Sequence, residues 1–154
     1  MKLSTRGEYA LRAMLVLGTH YNPESVVRIQ AISEAQNIPQ RFLEQILNDL
    51  KSAKLVVSKR GIAGGYRLAR PPHQITLAPI IRHIEGALAP VGCASEHFYK
   101  KCSCPDERIC ALRSVMKEVR EAIVNILEKV TVADLCERAR QLRSDPPDVL
   151  DYII

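Results

Sequence analysis

No apolar run in these 154 residues approaches the roughly 20 residues that a membrane-spanning helix needs, so a helical membrane protein is excluded. The opening, Met1-Lys2-Leu3-Ser4-Thr5-Arg6, lacks the apolar core and cleavage site of a secretory signal. The expectation is a soluble, cytoplasmic protein with no membrane partner. The arrangements from which enzymes are read are missing as well. No nucleophile is paired with a base, no phosphate-cradling motif precedes a helix, and no cysteine and histidine stand at a catalytic spacing. Catalysis is therefore the weakest functional class. There is no internal repeat and no low-complexity tract, and a chain of this length buries one core, alone or with an extension that a partner covers.

What is present is unevenly placed. Net charge is +5, yet residues 1–72 carry 11 Lys and Arg against 5 Asp and Glu, while residues 73–154 carry 11 against 12. The basic half is a candidate for contact with a polyanion. The chain also has 5 cysteines. Without a secretory signal, disulfides are the less favoured use for them, and metal binding or redox chemistry comes forward.

Thr5-Arg6-Gly7-Glu8 has capping-box spacing and opens a first helix that should run to about His20. Ile29, Ile32 and Ala35 mark a short second helix, which Asn37 ends in a left-handed cap. Pro39 suits the first turn of a third helix, where Phe42, Leu43, Ile46, Leu47 and Leu50 form one buried stripe. Leu55 to Ser58 and Tyr66 to Ala69 read as two strands joined through Arg60-Gly61-Ile62-Ala63-Gly64-Gly65, a hairpin placed as a wing. Pro71-Pro72 closes it. Thr76 then caps a fourth helix carrying Leu77, Ile80, Ile81 and Ile84, ended by Gly86.

The pattern predicts a mainly α protein, a winged helix-turn-helix with a two-stranded wing and a long C-terminal dimerisation helix. Residues 1–86 form the DNA-binding domain, 87–108 a cysteine-rich sensor loop, and 109–154 the dimerisation helix and tail. The helix is read from Ile109, Leu112, Met116, Val119, Ile123, Ile126 and Val130, whose three- and four-residue steps make the seam of a helix paired with another. A last helix opens at Thr131-Val132-Ala133-Asp134 and runs to about Leu142, before the apolar end at Tyr152-Ile153-Ile154.

In such a fold the third helix enters the major groove. Its buried stripe leaves Gln40, Arg41, Glu44, Gln45 and Asn48 outward. Arg forks onto guanine, Gln and Asn pair with adenine, and Glu accepts from cytosine. The wing adds Lys59, Arg60, Arg67 and Arg70, and glycines such as Gly64 let its backbone lie close to phosphate or within the minor groove. The competing reading is an ordinary solvated helix face.

Cys93, Cys102, Cys104 and Cys110 are spaced Cys-x8-Cys-x-Cys-Pro-x4-Cys. Four soft ligands in one segment suit zinc or an iron-sulfur cluster. The absence of paired Cys-x2-Cys knuckles weakens zinc, and the wide gaps favour iron-sulfur. Cys110 falls near a helix N-terminus, which favours a thiolate. Cys136, on the last helix, reads as packing. His97 and His83 could ligate metal, but a lone histidine in either setting is more often solvated or packed.

Met1 to Ala10, then Phe42-Leu43-Glu44-Gln45-Ile46-Leu47, then Arg60-Gly61-Ile62-Ala63-Gly64-Gly65-Tyr66, resemble the Rrf-two family of bacterial transcription regulators, over essentially the whole chain. The family includes iron-sulfur regulators of the IscR, NsrR and RirA types and the cysteine-metabolism regulator type CymR. The resemblance implies a homodimer on a partly palindromic double-stranded DNA operator, with the third helix in the major groove and Arg60 in the minor groove. It implies an iron-sulfur cluster held by Cys93, Cys104 and Cys110, with the Cys104-Pro105-x4-Cys110 portion similar to RirA. The IscR type has a histidine ligand where this chain has Arg113. The NsrR type takes an aspartate from the partner's first helix, where this chain has Glu8. The fourth ligand is thus Cys102, Glu8 or a small molecule, with a four-iron cluster favoured over a two-iron one. The expected function is a repressor sensing iron, redox state or nitric oxide. The alternatives are a cluster-independent CymR-like regulator of sulfur metabolism and a small iron-sulfur electron-transfer protein.

Overall fold

The computed structural model describes residues 2–145, so the apolar end at Tyr152, Ile153 and Ile154 lies outside the described residues. Helix α1 spans Thr5–Thr19. Its cap is Ser4 rather than Thr5: the Ser4 Oγ accepts from the Gly7 N–H at 3.1 Å. Nor does Glu8 supply the acid of the expected box. Glu85, far along the chain, does so, accepting the Ser4 N–H at 3.1 Å and the Ser4 hydroxyl. Gly7 occupies the third helical position, where a capping-box acid would stand, and a Cβ there would collide with the Glu85 carboxylate. Glu8, one position on, faces solvent and pairs with Arg12 at 3.4 Å.

Helices α2 (Ile29–Gln36) and α3 (Gln40–Ser52) form the helix-turn-helix. Asn37 takes the left-handed conformation between them, with φ 51° and ψ 45°. The Ser33 hydroxyl donates to the Ile38 carbonyl at 2.6 Å and closes the turn. Pro39 is the cap of α3 rather than a residue of its first turn. Leu43, Ile46, Leu47 and Leu50 are buried as expected, but Phe42 is 57% exposed. The core stripe centres on the other four, and Phe42 is turned about 100° away from Leu43 around the helix.

The wing strands are β1 (Val56–Lys59) and β2 (Gly65–Leu68), antiparallel, with Val56 opposite Leu68 and Lys59 opposite Gly65. Each lies one residue from its expected position. At the first, Lys54 has φ 59°, and the Leu55 N–H turns back to the Leu50 carbonyl at 3.0 Å, so Leu55 belongs to the helix exit. Val27 adds a one-residue third edge, exchanging two 2.8 Å hydrogen bonds with Tyr66.

Helix α4 (Leu77–Glu85) ends at Gly86, with φ 87°. Thr76 precedes α4 without making the expected side-chain cap; its backbone is instead bridged to Thr131. After the aperiodic segment come α5 (Ala111–Leu127) and α6 (Val132–Ser144), the latter capped by a reciprocal Thr131–Asp134 box. The core gathers Met14, Leu17, Ile32, Leu47 and Ile80 from the first four helices. Helix α6 closes on α1 at Gly18, where a Cβ would stand 2.6 Å from Val132 Cγ1 and 2.8 Å from Cys136 Sγ. Helix α5 is different, with no buried residue along its length and with Leu112, Val115 and Ile126 more than half exposed. This is a mainly α winged helix, and among the described residues no helix is long and apolar enough to cross a membrane.

Candidate nucleic-acid interface and thiol site

On α3, Gln40, Arg41, Glu44, Gln45 and Asn48 are all exposed on one side of the helix, opposite the buried stripe. In the wing, Lys59 and Arg60 are exposed, as is Arg70 beyond it. Gly64 and Arg67 are half-buried, and Arg67 Nη1 donates to the Leu68 carbonyl at 3.4 Å. The Gly64 N–H closes the loop on the Gly61 carbonyl at 2.9 Å, and a Cβ on Gly64 would stand 2.7 Å from that oxygen. A side chain there would open the wing.

Arg28 was missed by sequence reasoning. It precedes α2, is exposed, and donates to the Ile62 carbonyl in the wing loop at 3.5 Å. No spacing signal links residues 28 and 62; only the Val27–Tyr66 pairing brings them together. Lys51 and Lys54, also exposed, share a shallow depression with Arg60 and so extend the basic surface at the wing root.

The thiols converge at the start of α5. Cys110 caps that helix, its Sγ accepting from the Arg113 N–H at 3.4 Å. That backbone bond holds the Cys110 pKa below the ordinary thiol value. Cys104 Sγ is 3.9 Å from Cys110 Sγ, and the Cys104 N–H reaches Cys102 Sγ at 3.4 Å. Contact with the thiols of Cys102 and then Cys110 pushes Cys104 up to about 12. Cys93 is raised chiefly by its burial and next by the neighbouring Cys102. Glu107 organises the outer loop, accepting the Tyr99 hydroxyl at 2.6 Å and the Cys102 N–H at 3.0 Å. The first of these bonds lowers the Glu107 pKa and raises that of Tyr99.

Two arginines of α5 fasten this segment. Arg113 Nε donates to the Cys93 carbonyl at 2.8 Å, and Arg120 Nη1 to the Ala94 carbonyl at 2.9 Å. Arg120 also pairs with Glu96 at 2.9 Å. Cys136 sits apart, against the Thr19 hydroxyl and the Leu15 carbonyl, as a packing residue does. His83 and His97 line one hollow with Pro79 and Phe98.

The donor set suits a soft metal, because four thiols lie within one segment and one of them is favoured as a thiolate. Among the described residues, however, no three His, Cys, Asp or Glu side chains are already grouped around a position that could hold a metal ion. The residues thus fit such a group in chemistry.

The Rrf2 family, described as iron-dependent transcriptional regulators, matches residues 3–138. An rrf2-like HTH-type transcriptional regulator of Rhodobacter capsulatus is 35% identical over 136 residues, covering 86% of this chain and 91% of the relative. The structure of CymR, the global cysteine regulator of B. subtilis, superposes with TM-score 0.74 at 32% identity, over 90% of this chain and 98% of that one. The IscR of T. potens does so with TM-score 0.72 at 30% identity, over 99% and 96%. Such relatives are regulators rather than enzymes, and the chain belongs to the Rrf2 family of helix-turn-helix transcriptional regulators.

Proposed function

We propose that the protein is a cytoplasmic homodimeric repressor. It reads its operator through Gln40, Arg41, Glu44, Gln45 and Asn48 of α3 and through Lys59, Arg60, Gly64 and Arg67 of the wing. Its DNA affinity is set by an iron-sulfur cluster, four-iron in preference to two-iron, held by Cys93, Cys104 and Cys110. The observation that carries this reading is the convergence of the thiols on the N-terminus of α5, fastened there by Arg113 and Arg120. The contact of the Cys102 sulfur with the Cys104 N–H supports Cys102 as the fourth ligand. Glu8, the other protein candidate, is exposed and paired with Arg12 in its own chain.

A bound cluster supplies redox chemistry and reactivity toward oxidants and nitric oxide. Everything else falls to the chain. Cys110 offers a thiolate at the helix N-terminus, and Arg113 and Arg120 carry any change in the loop into α5. The exposed seam of Leu112, Val115, Val119 and Ile126 pairs with the same seam of a second copy. A shift in α5 then changes how the two recognition helices are spaced. Affinity for DNA changes only if the ligand binds the two spacings unequally.

A cluster-free, thiol-based regulator of the CymR kind is the second reading, supported by the likeness of the fold to CymR. Titrating operator DNA with the iron-loaded and iron-stripped protein at one salt concentration separates the two. Different affinities support the cluster reading, and equal ones favour the second. Loss of sequence-specific binding in Arg60→Ala and Glu44→Ala identifies the reading face and excludes an electron carrier.

A further inference from the structure

Between the start of α1 and the exposed side of α3 lies a cleft of about 640 Å³. Tyr9, Phe42 and Ile46 give it an apolar lining, while Gln45 and Asn48 belong both to it and to the proposed reading face. Phe42 stands at 57% exposure, although burying such a ring is strongly favourable. Its helix neighbours Leu43 and Ile46 take the core, and Phe42 shares a helix side with Gln45, one turn on.

A phenyl ring has no hydrogen bond to offer a base edge. The major-groove feature it matches is the C5-methyl group of thymine. We propose that Phe42 is a specificity residue that packs against one thymine methyl in each half-site, at the mouth of the α1–α3 cleft. Two observations direct the cleft toward DNA rather than a small apolar ligand: its continuity with the polar readers Gln45 and Asn48, and the exposed Arg41 in a half of the chain with 11 basic against 5 acidic residues. The proposal rests on α3 being the recognition helix. It adds an apolar reader that hydrogen-bonding chemistry alone does not provide.

The test uses the full-length protein, isolated anaerobically, with an operator selected from random duplexes. Each thymine is replaced singly by deoxyuridine, which lacks only the methyl group, and affinities are measured for wild type, Phe42→Ala and Phe42→Leu at one salt concentration. One thymine per half-site should show a wild-type loss of about fourfold on replacement, the value of one buried methyl group. Phe42→Ala should bind the thymine operator correspondingly more weakly and be indifferent to uracil at that position, with Phe42→Leu between the two. Because Phe42 is outside the core, both variants should keep the wild-type melting temperature. The proposal is overturned if wild type ignores uracil everywhere, or if Phe42→Ala keeps the wild-type penalty at every thymine. Should wild type select no operator at all, the DNA-reading face itself is rejected together with this residue's role.

Discussion

Arg113 holds both ends of the thiol segment: its Nε donates to the carbonyl of Cys93 at 2.8 Å while its backbone N–H binds the sulfur of Cys110 at 3.4 Å. The resemblance to IscR-type regulators puts a histidine ligand at this position. In this chain the side chain there grips the loop backbone instead. Arg113→Ala removes a charge-assisted hydrogen bond from a partly buried carbonyl. Hydrogen exchange of the iron-free protein should then accelerate across residues 93–110, with protection of α1 to α4 unchanged. Exchange indistinguishable from wild type would mean that the loop is held by other contacts.

The thiols should react in a definite order. The pKa of Cys110 is lowered, so its thiolate fraction rises at a lower pH than that of an ordinary thiol. Cys104, at about 12, remains protonated through neutral pH. Alkylation of reduced, iron-free protein, read by peptide mass spectrometry, should therefore modify Cys110 first, with a pH midpoint below the usual thiol range, and Cys104 late. Faster labelling of Cys104 than of Cys110 contradicts the assigned hydrogen bonds.

The Ser4–Glu85 contact ties the start of α1 to the end of α4. Ser4→Ala should cost about 1 kcal/mol, as cap losses do, and Glu85→Ala a comparable amount. Because the two act as one unit, the double variant should lose clearly less than the sum of the singles. Glu8→Ala removes only an exposed pair and should cost well under about 1 kcal/mol. Strict additivity in urea melts rules out the shared cap.

Gly18 lets α6 approach α1, and its missing side chain leaves no room to spare. Gly18→Ala must push Val132 and Cys136 outward, at about 1–3 kcal/mol of overpacking. A gain in thermal stability, which helix propensity alone would give, is the contrary result.

If the exposed seam of α5 is the dimer contact, a charge on that seam should dissociate the protein. Val115→Glu should sediment as a monomer at concentrations where wild type is a dimer, with its helix content retained. A persistent dimer moves the interface elsewhere.

Much of this was legible in the sequence because local chemistry decided it. Asn37 needs no partner to adopt a left-handed turn, Thr131 and Asp134 cap each other within one turn, and Cys110 precedes a strongly periodic helix. What was not legible depends on tertiary contact. Thr5 and Glu8 have capping-box spacing, but Glu85 arrives from α4 and shifts the cap to Ser4. Phe42 satisfies the helical apolar pattern, yet the stripe was already full without it. Arg28 reaches the wing only because Val27 pairs with Tyr66. The thiol spacing predicted a shared site, while the grip of Arg113 and Arg120 on the loop carbonyls left no trace in spacing, because backbone acceptors are the same at every residue.

The thiols at the root of α5 are proposed to hold an iron-sulfur cluster. The most direct test is the iron and acid-labile sulfide content of protein isolated without exposure to air, measured alongside single alanine variants of Cys93, Cys104 and Cys110. The protein should be brown, with about four iron and four sulfide per chain, falling sharply in each of the three variants and unchanged in Cys136→Ala. A colourless wild-type protein without iron or sulfide, after anaerobic isolation from iron-replete cells, would contradict it.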